Sequence, residues 1–230
     1  MTANKIIVEV CADSIDSALA AQQGGAERIE LCQSLAEGGT TPSFAVIEAA
    51  RRLLNIKVFV LIRPRGGDFL YNDTEFALMQ MDIHCCGKLG CHGVVIGMLN
   101  ADGSIDVRRC AVLIALAREY NMQVTFHRAF DCCRDLPESL ETIIELGCER
   151  VLTSGGFPSA PEGTAALRQL VSQAGERIIV MPGAGITPEN AAELVKNTGA
   201  KEIHGSFRSV LTNGIWRTDP EKVRKIVIND

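Results

Sequence analysis

The 230-residue chain has no run of lysine and arginine, and its net charge is -5. It therefore carries no electrostatic footprint for nucleic acid or for an anionic membrane surface. It also lacks a long apolar stretch. Gly93 to Leu99 is far short of a membrane span, and residues 1–8 hold one Lys and too short an apolar run for a signal peptide. These absences lead to the expectation of a cytoplasmic protein that engages neither nucleic acid nor membrane. Prolines number only 8 and are spread along the chain, which with 22% charged residues argues against fibrous repeats and disorder. The nine cysteines show no framework spacing, and their odd count fits reduced thiols that are mostly core fillers.

What is present is an alternation. The apolar run Val58 to Ile62 turns in one step into Arg63, Arg65 and Asp68 around Pro64 and Gly66-Gly67. Comparable runs fall at Ile6–Cys11, Ile29–Cys32, Val94–Leu99, Val124–His127, Val151–Thr153, Ile178–Met181 and Glu202–Gly205, and each reads as a strand. Between them lie stretches with helical spacing, clearest at Phe44–Leu54, Ile105–Tyr120, Leu136–Leu146 and Asn190–Val195. Thr41-Pro42, Thr187-Pro188 and Asp219-Pro220 each place a capping oxygen before a proline suited to the first helical position. Eight strand–helix units in a chain of this length predict a single α/β domain over residues 1–230, a (β/α)8 TIM barrel; a doubly wound open sheet is the alternative.

In such a barrel the active site lies at the C-terminal ends of the strands. Side-chain alternation sends Ile6, Val8 and Val10 toward the helices and Ile7, Glu9 and Cys11 inward. The second strand repeats the pattern, with Glu30 and Cys32 inward, so two neighbouring strands carry Glu-x-Cys. The same logic turns Arg63, His127 and His204 inward. Buried carboxylates demand a nearby cation, for which Arg63, Arg65 and Arg128 are candidates, and Glu30 is expected to pair with Arg63. Glu9, Glu30, Arg63, His127 and His204 form a candidate acid–base set for an enzyme acting on a small anionic metabolite. Arg65, Asp68, Thr153, Ser154, Gly183, Gly185 and Ser206 are its candidate ligand-binding residues. A phosphate or carboxylate is expected at the ends of the seventh and eighth strands, where Gly183, Gly185 and Thr187-Pro188 adjoin Gly205-Ser206 and Arg208. His84-Cys85-Cys86 with Cys91-His92 has metal-ligand residue types but not the spacing of a zinc knuckle, and it falls on the opposite rim, where a structural role is favoured.

The segments EVCADS (9–14), GGAERIELCQSLAEGGTTPS (24–43), IRPRGGDFLYND (62–73), VTFHRAFD (124–131), RVLTSGG (150–156) and MPGAGIT (181–187) together resemble the CutC copper homeostasis family. The resemblance implies a cytoplasmic (β/α)8 barrel, a homo-oligomer, linked to copper handling and binding Cu(I) through cysteine. By motif position Cys11 and Cys32 match the ligands proposed in that family. Two thiolates on neighbouring strands suit a soft monovalent ion, although buried cysteine is also a common small hydrophobe. After His204 the chain reads GSFRSVLTNGIWRTD, a shorter connection than many members carry.

Overall fold

The computed structural model describes residues 6–212 and 214–228. Residues 1–5, 213 and 229–230, which the expected domain over 1–230 includes, lie outside the described residues. Eight strands run parallel: β1 (Ile7–Ala12), β2 (Arg28–Leu31), β3 (Lys57–Leu61), β4 (Gly93–Ile96), β5 (Gln123–Phe126), β6 (Arg150–Thr153), β7 (Ile179–Pro182) and β8 (Glu202–Gly205). They hydrogen-bond in the order β7-β6-β5-β4-β3-β2-β1-β8, with β7 and β8 side by side at the seam. The helices are α1 (Ile15–Gly24), α2 (Phe44–Leu53), α3 (Asp73–Lys88), α4 (Val107–Glu119), α5 (Leu136–Glu145), α6 (Thr164–Ala174), α7 (Ala191–Thr198) and α8 (Pro220–Ile228). The protein is a single (β/α)8 barrel, and the open-sheet alternative falls.

The period-two pattern divides the core into two. Val8, Val10, Ile29, Leu31, Val58, Val60, Val94, Ile96, Val124 and Ile203 pack outward against the helices. Cys11, Cys32, Phe59, Leu61 and Val95 form a separate cluster inside the barrel. Strand register then sets neighbours: Cys11 stands opposite Glu30, and Glu9 has Arg28 on one side and His204 on the other.

Helix starts differ from expectation at two of the three proline signals. α2 is capped by Ser43, whose side chain accepts from Val46 N, while Thr41 Oγ1 accepts the backbone N–H of Arg63 at 2.8 Å. α7 begins only at Ala191, because Thr187 to Asn190 close a separate turn through Thr187 N to Asn190 Oδ1 (2.9 Å). At the third, α8 opens at Pro220 and Asp219 Oδ1 accepts from Glu221 N. The connection after β8 folds into a hairpin of β9 (Arg208–Val210) and β10 (Trp216–Thr218). On the opposite rim, Cys86 and Cys91 are buried in the helix-side core, His84 bonds Tyr120 Oη and His92 Nδ1 accepts from Val58 N. Among the described residues no helix is long and apolar enough to cross a membrane.

Candidate functional site

The barrel interior is floored by charge. Glu9, 0% exposed, receives the Nε of Arg28, and the same guanidinium donates through Nη2 to Glu202. Arg150 reaches Glu202 from the other side at 3.3 Å, and the Phe59 ring lies under both arginines at 5.0 and 5.1 Å. Burial alone would raise the Glu9 pKa, but Arg28 and His204 outweigh it and hold this carboxyl well below the usual range. The cations that neutralise the interior are therefore Arg28 and Arg150, and not the expected Arg63, Arg65 and Arg128.

One layer higher stand the groups that face the mouth. His204 Nδ1 bonds Glu9 Oε1 at 2.8 Å and its Nε2 lies 3.5 Å from Glu30 Oε2. Burial opposes charge on this imidazole, yet the Glu9 hydrogen bond and the two carboxylates raise its pKa overall. Glu30 titrates above the usual carboxyl range because it is buried beside the Glu9 charge, with His204 opposing. Cys11 Sγ and Cys32 Sγ are 3.5 Å apart. That contact, burial and the neighbouring Glu30 push the Cys11 thiol well up. Cys11, Glu30 and His204 bring one donor atom each to within 4.8 Å of one another. The two thiols meet because Cys11 stands opposite Glu30 in the strand register and Cys32, just past the end of β2, is the next inward position. With metal–sulfur bonds of about 2.3 Å, sulfurs at this separation would meet an ion at an angle near about 100°, so the donor set fits a soft cation.

Above these groups opens a cavity of about 710 Å³, lined among others by Cys11, Glu30, Arg63, His127, His204 and the loops after β7 and β8. All five candidate acid–base residues except Glu9 line it, and Glu9 lies beneath, reached through His204. Gly185 and Ser206 line it as well. Gly183 does not; a Cβ there would lie 2.5 Å from Leu152 and 3.4 Å from His204, so this glycine serves the close packing of the seam. Thr153 and Ser154 are 0% exposed and are bound to Asp131, Thr153 through Oγ1 at 2.5 Å and Ser154 through N and Oγ at 3.0 Å. They support the wall without facing the cavity. Arg65 and Asp68 pair with each other at 2.9 Å outside it, and Arg65 also binds Glu75.

The expected Glu30–Arg63 pair does not form. Arg63 donates to three loop carbonyls, Glu37 O (2.9 Å), Gly39 O (2.7 Å) and Gly67 O (2.8 Å), and lies 5.1 Å from the Phe69 ring. Its backbone position at the end of β3 carries the side chain up into the loops, past the level of Glu30. Arg63→Ala is expected to cost about 3 kcal/mol by orphaning these acceptors, the scale of one to two charge-assisted hydrogen bonds. Urea denaturation should show the same loss with or without Glu30→Gln; a loss that disappears in the Glu30→Gln background would restore the ion pair.

Arg28, Arg150, Glu202 and Asp131 were not singled out from the sequence. A signal was there for three of them: Arg28 and Glu202 sit two residues before Glu30 and His204 on the same strand faces, and Arg150 two before Leu152. Asp131 sits in a short helical turn after β5, where strand alternation says nothing.

The sequence profile described as the CutC family matches residues 6–209. The chain belongs to the CutC family. A CutC family protein of Vibrio vulnificus strain YJ016 is 54% identical over 202 residues, 88% of this chain and 81% of that protein. The human protein named copper homeostasis protein cutC homolog is 49% identical over 213 residues, 93% of this chain and 77% of that one. The crystal structure of CutC from Streptococcus agalactiae superposes with a TM-score of 0.83 at 35% identity, covering 87% of this chain and 98% of that chain. Thiamine phosphate pyrophosphorylase from Pyrococcus furiosus, 20% identical with a TM-score of 0.64 over 97% of this chain and 96% of that one, shares the barrel fold.

Proposed function

We propose that this CutC-family chain is a copper homeostasis protein of the cytoplasm that takes Cu(I) as cargo through Cys11 and Cys32. The observation that carries the reading is the 3.5 Å contact of Cys32 with Cys11, which lines the mouth cavity with Glu30 and His204. Thiolate ligands select a soft monovalent ion, and the carboxylate supplies negative charge that favours any cation. Uptake releases the thiol protons; the raised Cys11 pKa opposes that release, so binding should strengthen as pH rises. His204, positioned by its bond to Glu9, stands ready with Nε2 once it has lost its proton. The nine free cysteines suit a reducing compartment. Names of relatives such as the human homolog point the same way.

The test is a competition titration of the reduced protein against a chromophoric Cu(I) chelator. Wild type should hold a stoichiometric ion and Cys11→Ser/Cys32→Ser should lose it, although seven cysteines remain. A double variant with wild-type stoichiometry and affinity would remove the assignment.

A second reading is favoured by one observation. The cavity, about 710 Å³, falls in the range of sites for small organic molecules and is far larger than an ion needs. On this reading the barrel is an enzyme acting on a small anionic metabolite, with Glu30 and His204 as a proton-exchanging pair near neutral pH.

A further inference from the structure

His127 stands at the end of β5 and is 5% exposed. Its Nδ1 accepts the backbone N–H of Ala129 at 3.1 Å, which places the ring proton of the neutral imidazole on Nε2. The Nδ1 edge rests close over Gly97 of the neighbouring strand end, where a Cβ would come within 2.5 Å of it, so only glycine leaves room for the ring there. Nε2 is buried and meets no protein partner among the described residues. A buried donor left in this state calls for an acceptor the protein does not supply, and His127 lines the mouth cavity.

Across the mouth, the loops after β7 and β8 line the same cavity. Among the described residues the backbone N–H groups of Gly185, Ile186, Ser206 and Phe207 have no protein acceptor. Arg208 and Lys222 line this end too, with Lys222 Nζ on Arg208 O at 2.8 Å and Arg208 Nη1 3.4 Å from Asp13. Glu189 is the carboxylate on this side. The N–H groups of Thr187 and Glu189 are already used by Asn190 Oδ1 and Thr187 Oγ1, so the seat is made by the two loops and not by the helix start.

We infer that the cavity seats a small phosphate monoester, its phosphate on the N–H groups of Gly185, Ile186, Ser206 and Phe207 and an uncharged oxygen of the same molecule on His127 Nε2–H. The inference rests on the second reading above for the existence of a small-molecule ligand, and it is independent of the copper site. Four donors on two loops with two cations suit a dianion bearing three peripheral oxygens better than a carboxylate with two. The ligand would then span the mouth from β8 to β5, passing over Cys11 and Glu30.

The experiment follows backbone amides and the histidine Nε2–H by NMR in wild type, with inorganic phosphate, glycerol 3-phosphate and acetate as probes. Phosphate up to about 10 mM should shift Gly185, Ile186, Ser206 and Phe207, and glycerol 3-phosphate should add a shift at His127 that phosphate alone does not give. Lys222→Gln should weaken phosphate binding about tenfold, the effect of one charge-assisted hydrogen bond, with the rest of the spectrum unchanged. Cys11→Ser/Cys32→Ser should bind phosphate as wild type does. Shifts elsewhere, no shifts, or an unaltered affinity in Lys222→Gln overturn the inference. Acetate shifting His127 while phosphate does nothing overturns the phosphate seat and leaves the enzyme reading standing.

Discussion

Arg28→Met is expected to lower folding stability by about 3–5 kcal/mol, the cost of leaving buried charge without its partner. Arg28 is 2% exposed and serves two carboxylates, Glu9 and Glu202, from one guanidinium. Methionine keeps the apolar stem and its contact with Phe59, so the loss reports the charge and not a cavity. Arg150 stays near Glu202, which leaves Glu9 as the group most exposed to the change. The pH dependence follows from the sign of the Glu9 shift. A carboxyl held low in the folded state contributes stability above its unfolded value of about 4.3, and that stability is lost as pH falls through the folded value. Without Arg28 burial raises this carboxyl, so the deficit of the variant should shrink on acidification from neutral pH as Glu9 takes up its proton in the variant while it stays ionised in wild type. Urea denaturation across that range measures it. A deficit under about 1 kcal/mol at pH 7 would show that Glu9 is satisfied without Arg28.

His127 carries the second large effect. Burial, with the charge of Arg63 behind it, pushes its pKa down to about 3. In the unfolded chain the imidazole titrates near about 6.5, so between these values the unfolded state binds the extra proton and stability rises with pH. On acidification from about pH 6.5 to about pH 3 this one residue should remove on the order of 5 kcal/mol, at 1.36 kcal/mol per unit. His204 works in the opposite sense, since its pKa is raised and its contribution is lost as pH climbs. The difference between wild type and His127→Asn isolates the effect, because asparagine can still accept the Ala129 N–H. The variant should lose stability much less steeply over this window. Parallel curves for the two proteins would mean that His127 is protonated in the folded state without penalty.

Much of the site was legible because strand alternation is local. Glu9, Cys11, Glu30, His127 and His204 face inward for the reason that Val8, Val10, Ile29 and Leu31 face outward: successive side chains on a strand point to opposite sides. The Gly185 and Ser206 loops were placed by the barrel rule that strand C-termini bear the site. Thr153 and Ser154 were misplaced as ligand residues because polar type at a strand end does not say which way the chain has turned after the last ladder bond. Asp131 claims both from a helical turn that no strand pattern describes.

Taken alone, the residue order determined the class of fold, the inward set and the family, since each depends on periodicity or on strings of adjacent residues. Only the tertiary structure decided the partners. Arg28, and not Arg63, neutralises Glu9, and Arg63 instead ties three loop carbonyls together. Pairing inside a barrel depends on how far each strand is staggered along its neighbours and how far each side chain reaches, which are properties of eight strands closed on one another. Cys11 and Cys32 meet for the same reason: the register that sets Cys11 opposite Glu30 puts the next inward position of β2 above it.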